Sequence, residues 1–154
     1  MTVAHLTPAL RAPSLTSALG ALRARGMRVS TARRQVLEAL YSADGPVSAE
    51  ALTERLPGSD LASVYRNLVV LEEVGLVRHV HLGHGPGRYA PATTTTEFVT
   101  CDRCGAHEAF DPHRIDAARE LIERELGYRP RFTHFPIVGV CAACQEKEDG
   151  HAHS

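Results

Sequence analysis

LASVYRNLVVLEEVGLVRHVHLGHGPGRYA, residues 61–90, reads in two halves. In the first, Val64, Leu68 and Leu71 recur at helical spacing, Asp60 stands at the N-cap position and Gly75 closes the helix. In the second, LVRHVHLG and GRYA form two short strands around the turn GHGPG. Upstream lie further helical patterns. SLTSALGALRAR (14–25) is amphipathic through Leu15, Leu19 and Leu22. TARRQVLEALY starts behind Ser30 or Thr31 and turns Val36, Leu37 and Leu40 inward, and Ser48 caps AEALTERL, which PGS (57–59) ends. Two short helices across a tight turn make a helix-turn-helix, and the hairpin makes it winged. The outward face of the second helix carries Ala62, Tyr65, Arg66 and Val69. Small residues permit close approach to a major groove, and Tyr or Arg reaches phosphates and base edges. The competing reading is a plain helical bundle with a solvated arginine.

The 154 residues allow one ordinary domain or two small ones. No apolar run approaches the ~20 residues of a membrane span, and the N-terminus lacks the pattern of a secretory signal. The cytoplasm is the expected location, where cysteines serve as thiols or metal ligands more often than as disulfides. Residues 1–88 hold ten arginines against seven acids, net +3, and residues 89–154 hold seven basic residues against eleven acids, net −4. The basic half suits a polyanion partner.

After residue 89 the pattern changes. PATTTTE is a polar hinge, and EFVTCDRCG and AHEAFD are strands. Asp111-Pro112 starts a helix that turns Ile115, Ala118, Leu121 and Ile122 inward and ends at Gly127, and RPRFTHFPIVGVC returns as a strand. The expected organisation is a flexible tail at 1–13, a winged-helix DNA-binding domain at 14–89, a hinge at 90–97, a small α/β domain at 98–145 and a flexible tail at 146–154. The fold class is α+β. A unit of about 50 residues needs a staple or a partner subunit.

Cys101-x-x-Cys104 and Cys141-x-x-Cys144 are separated by 36 residues. Each pair offers two thiolates from one turn, and two pairs complete the tetrahedron that zinc prefers. Four thiolates leave no position for water, so the zinc is structural, one per chain. The rival is a thiol redox protein using its C-x-x-C pairs, which usually sets one pair at a helix N-terminus; neither pair is expected there. Against an enzyme, the sequence lacks an open zinc site, a nucleophile–base pair at recognisable spacing and a phosphate loop.

GMRVSTARRQVLEAL, VSAEAL, LASVYRNLVVLEEVGLV, CDRCG, THFPIVGVC and CAAC, in this order from about residue 26 to 144, resemble the ferric uptake regulator family. The resemblance implies a homodimeric transcriptional repressor whose winged helices grip a palindromic operator while the C-terminal α/β domains dimerise. It implies that Arg28, Arg33, Ser63, Tyr65 and Arg66 face DNA and that Cys101, Cys104, Cys141 and Cys144 hold structural zinc. Metal binding at the hinge would favour the arm angle at which both helices meet the groove.

The chain departs from that pattern at the family's regulatory ligands. Those positions read Thr95, Thr96, Phe98, Pro46 and Ala90. Asp116 and His134 match the family's second site, and Glu97 keeps a carboxylate in the hinge. His79 and His81 are two apart on an expected strand and so point the same way. His79, His81, Glu97, Asp116 and His134 are therefore the expected regulatory set, for Zn²⁺, Fe²⁺, Mn²⁺ or Ni²⁺. The alternative is a repressor of the same fold that has lost metal sensing, with the histidines on the polar face of a wing. His84 is expected at the surface of its glycine turn.

Overall fold

The structure, a computed structural model, describes residues 9–83, 85–132 and 136–151. The chain divides into two compact units: Met1–His79 with Arg88–Thr94, and Val80–Gly87 with Thr95–Ser154.

The first unit is built on four helices, α1 (Leu15–Ala24), α2 (Thr31–Ser42), α3 (Ala49–Arg55) and α4 (Leu61–Glu73). Each starts where a side chain satisfies the free N–H groups of its first turn. Ser14, Ser30, Ser48 and Asp60 accept hydrogen bonds from the backbone of Ser17, Arg33, Ala51 and Ser63. The stripes expected to face inward do so: Leu22, Leu37, Leu40, Leu68 and Leu71 lie in one core, where Leu52 of α3 joins them. Behind α4 come β2 (Val77–Val80) and β3 (Arg88–Pro91), the two sides of the wing. A third strand, β1 (Val47–Ser48), pairs antiparallel with Tyr89 and Arg88, so the sheet order is β1-β3-β2. Two residues are too short for a periodic signal, and the sequence reading omits this strand.

Residues 9–13, read above as loose tail, are docked instead. Leu10 donates its N–H to Val74 O at 2.7 Å, and Tyr41 donates its hydroxyl to Ala12 O at 2.7 Å. Ala12 is buried in the core. The attachment runs through the backbone, which explains why the side-chain pattern gave no sign of it.

The second unit has a sheet in the order β5-β4-β6, from β4 (Glu97–Cys101), β5 (His107–Phe110) and β6 (Ile137–Gly139). β4 runs antiparallel to β5 and parallel to β6. Asp111 caps a 3₁₀ turn (Pro112–Ile115) that leads into α5 (Asp116–Leu126), which Gly127 ends at φ 72°. Val80, Leu82 and Phe98 form a small core, so the end of β2 and the turn after it pack with this unit and not with the helices.

Four expectations change here. The hinge contracts to residues 92–96, because Ala90 belongs to β3 and Glu97 opens β4. The returning strand shrinks to β6. The tail at 146–154 is helical as far as His151, in α6 (Ala142–His151), whose start is set by the second cysteine pair. Lastly, Ile115, Ala118, Leu121 and Ile122 do not enter a core: no residue of α5 is buried, and Leu121 is 48% exposed. A three-stranded sheet of short strands offers too little surface to cover that face.

Candidate metal centre and nucleic-acid interface

The sheet register builds the metal centre. The parallel pairing sets Cys101 opposite Gly139, two residues before Cys141. Asp102 donates its N–H to Gly139 O at 2.9 Å, clasping the first cysteine turn to β6. That turn closes on Gly105, whose φ of 75° places its N–H against Cys101 O at 3.0 Å. A side chain would be strained in this left-handed conformation. The second turn is the start of α6, where Cys144 and Gln145 donate to Cys141 O, each at 3.0 Å.

The four sulfurs lie within 4.8 Å of one another, with Cys104 Sγ 3.8 Å from Cys141 Sγ. A tetrahedron with Zn–S bonds of ~2.3 Å has edges of about 3.8 Å. The donor set therefore fits a structural zinc. No other group of three or more His, Cys, Asp or Glu side chains converges in this way among the described residues. The Cys141 N–H points at Cys101 Sγ from 3.3 Å, and this hydrogen bond is the main reason the Cys101 thiol is held down to about 6. Cys144 is pushed up to about 12, chiefly by its hydrogen bond with Cys141. One sulfur is ready to bind a cation, and another must first lose its proton.

The second cysteine pair does sit at a helix start, contrary to the sequence-based argument against a redox role. The convergence of all four sulfurs, and not helix position, is what favours zinc. An isolated redox pair needs only two.

The nucleic-acid face lies on α4. Ala62 and Arg66 are exposed, Val69 is 48% exposed, and Tyr65 is half-buried, packed against the core. Tyr65 donates its hydroxyl to Glu50 Oε1 at 3.2 Å. Burial first and this carboxylate second raise its pKa. Ser63 is half-buried, and its N–H is taken by the Asp60 cap at 2.7 Å. Arg28 is exposed. Arg33 is more constrained: its Nε donates to Asn67 Oδ1 at 3.2 Å and its NH1 to Arg28 O at 2.9 Å. Asn67, buried on the inner side of α4, also donates to Ser63 O at 3.1 Å. Sequence reasoning missed Asn67 and Glu50. A polar residue on an otherwise apolar stripe was the available sign of the first, and nothing marked the second.

The expected regulatory residues are placed as follows. His79 stacks on Tyr89, with ring centroids 4.6 Å apart and planes 4° from parallel. His81 is exposed and lies one residue beyond the end of β2, so the two do not share a strand as expected. Glu97, on β4, is 3% exposed and ion-paired with Arg119 of α5. Asp116 faces His113 Nδ1 at 3.2 Å. His134 and His84 lie outside the described residues.

This combination, a winged helix joined to a small α/β unit with a four-cysteine centre, defines a class of sequence-reading regulators. Residues 24–135 match the model of the ferric uptake regulator family, and the chain belongs to that family. It is 29% identical over 144 residues to the peroxide operon regulator of Bacillus subtilis, covering 91% of this chain and 99% of the relative. Its fold is similar to the ferric uptake regulator from Pseudomonas aeruginosa, solved with manganese: TM-score 0.62, 27% identity, 80% of this chain and 97% of the other. It is also similar to a zinc uptake regulator complexed with zinc and DNA: TM-score 0.51, 28% identity, 88% of this chain and 96% of the other.

Proposed function

We propose that the chain is a metal-responsive transcriptional repressor that binds double-stranded DNA as a homodimer, with one structural zinc per chain. The observation that carries this is the outward face of α4, where Ala62, Arg66 and Val69 are exposed on a winged-helix frame and Tyr65 packs at the edge of the core. Arg66, Tyr65 and Arg28 reach DNA, while Arg33 and Ser63 orient the helix at its start. A similar solved protein, the zinc uptake regulator, is complexed with zinc and DNA, which supports this assignment. The uncovered face of α5 is where a second copy docks, and two identical helices then match a palindrome. We assign no catalytic residue. No described helix is long and apolar enough to cross a membrane, and we place the protein in the cytoplasm.

Fluorescence anisotropy on DNA from the protein's own upstream region tests the reading. Affinity should fall steeply with salt as bound arginines release counterions, and Arg66→Ala should weaken binding and reduce the salt slope by about 1. Binding that depends on added Zn²⁺, Mn²⁺, Fe²⁺ or Ni²⁺ identifies the effector. An Arg66→Ala chain with unchanged affinity and slope would refute the DNA face. The four-sulfur centre also leaves a thiol redox reading to be tested: reversible disulfide cycling without zinc loss would favour it.

A further inference from the structure

The ion pair between Glu97 and Arg119 is the most buried among the described residues. Their side chains are 4% and 21% exposed. Arg119 is fixed from several sides. One guanidinium nitrogen meets Glu97 Oε2, and NH1 donates to Pro130 O at 3.3 Å. The guanidinium carbon lies 5.1 Å from the centroid of the Phe132 ring, and Nε is 4.0 Å from Asp116 Oδ1. β4, α5 and the segment returning from α5 therefore converge on one positive charge.

A carboxylate this buried needs a cation beside it. A divalent metal or a guanidinium satisfies that need, but not both in the same place. Arginine stays protonated at any working pH, so it cannot yield by losing its charge. It is also attached to the chain, so its occupancy does not follow metal supply. A ligand that binds both states of a protein equally shifts nothing. Asp116, the other expected carboxylate ligand, is shared between the same arginine and His113.

We infer that Arg119 is a built-in counter-cation that takes the place of a metal beside Glu97 and Asp116, so that neither carboxylate is a regulatory ligand. This rests on the metal-responsive reading above and narrows it: the response does not run through these two carboxylates. The start of β4 is held whether metal is present or not.

The test uses full-length, zinc-loaded protein and titrates a second metal: Mn²⁺ by loss of its free EPR signal, and Co²⁺ by its visible d–d bands. Glu97→Gln and Asp116→Asn are expected to change second-metal affinity by less than two-fold. Arg119→Met, which keeps the length and removes the charge, is expected to gain Mn²⁺ affinity of ten-fold or more. That gain should vanish in Arg119→Met with Glu97→Gln. A ten-fold loss of metal affinity in Glu97→Gln alone overturns the assignment, as does a folded Arg119→Met chain that gains no Mn²⁺. Should Arg119→Met not fold, Glu97→Gln and Asp116→Asn still decide. A wild type that takes up no second metal supports the built-in cation and overturns the metal-responsive reading, so the two fail separately.

Discussion

Replacing Cys101 with serine removes the one fully buried ligand of the sulfur cluster. The second unit has little else to hold it. Its apolar cluster consists of Val80, Leu82 and Phe98. At about 1.5–3 kcal/mol for each fully buried side chain, these supply roughly 5–9 kcal/mol. A structural zinc contributes about 10–16 kcal/mol at pH 7 in small cysteine-ligated peptides, so the metal outweighs the core. The first unit has no such dependence, since its helices enclose a continuous core from Leu19 to Leu76. Cys101→Ser should therefore unfold the second unit and leave the first folded. Hydrogen exchange read by mass spectrometry distinguishes the two. Amides of β4, β5 and β6 should exchange within the dead time, while those of α2 and α4 stay protected. Wild-type protein stripped with a strong chelator should behave the same way, which separates loss of metal from any effect of serine itself. A zinc-free chain with protected β4–β6 amides would refute the reasoning.

Three further outcomes are expected. Glu50→Gln frees the Tyr65 hydroxyl and removes a negative charge beside the DNA face, so affinity should rise about two- to five-fold, the order of one surface charge interaction; unchanged anisotropy titrations would count against Tyr65 as a contact. Asn67→Leu strips Arg33 Nε of its acceptor and leaves Ser63 O without its donor, costing about 1–3 kcal/mol in a urea melt. Zinc uptake by metal-free protein at pH 7 should release protons, because Cys144 is still a thiol there while Cys101 is already ionised. The sign follows: apparent zinc affinity rises with pH, by about ten-fold per unit for each thiol still to be ionised, and less steeply above about 6, where Cys101 has already ionised. Calorimetry in buffers of differing ionisation heat would show it, and zero proton release would exclude it.

Helices of the first unit were legible where their boundaries have a chemical mark: Ser30, Ser48 and Asp60 as caps and Gly75 as a stop. The metal centre was legible because two C-x-x-C turns restrict what four thiolates can do. What escaped had no periodic signal. β1 is two residues long and exists through its partner strand. α6 carries no apolar stripe and starts from the cysteine turn, with Arg103 reaching Glu148 at 3.1 Å along it. On α5 the sequence correctly marked an apolar face but could not say what covers it. Nothing in the sequence marked Arg119, because its partner is 22 residues away on another element.

The run of threonines also reads differently with its neighbours in place. Thr93 donates its hydroxyl to Ala12 O at 3.3 Å, the same carbonyl that Tyr41 meets. Ala12 belongs to the docked segment that also bonds Val74, at the end of α4. So α2, the end of α4 and the exit from the wing are tied to one short stretch of backbone. Gly75 makes room for it. Its φ of 85° ends α4, and a Cβ there would sit 2.5 Å from Ala9 Cβ. The glycine that stops the helix thus also admits the strap, and two constraints fall on one position. The first threonine after the wing is then part of the frame that holds α4. At the start of β4, where the second unit begins, the cation is arginine. Both devices fix the backbone by bonds internal to the chain, so neither depends on the supply of an exchangeable metal.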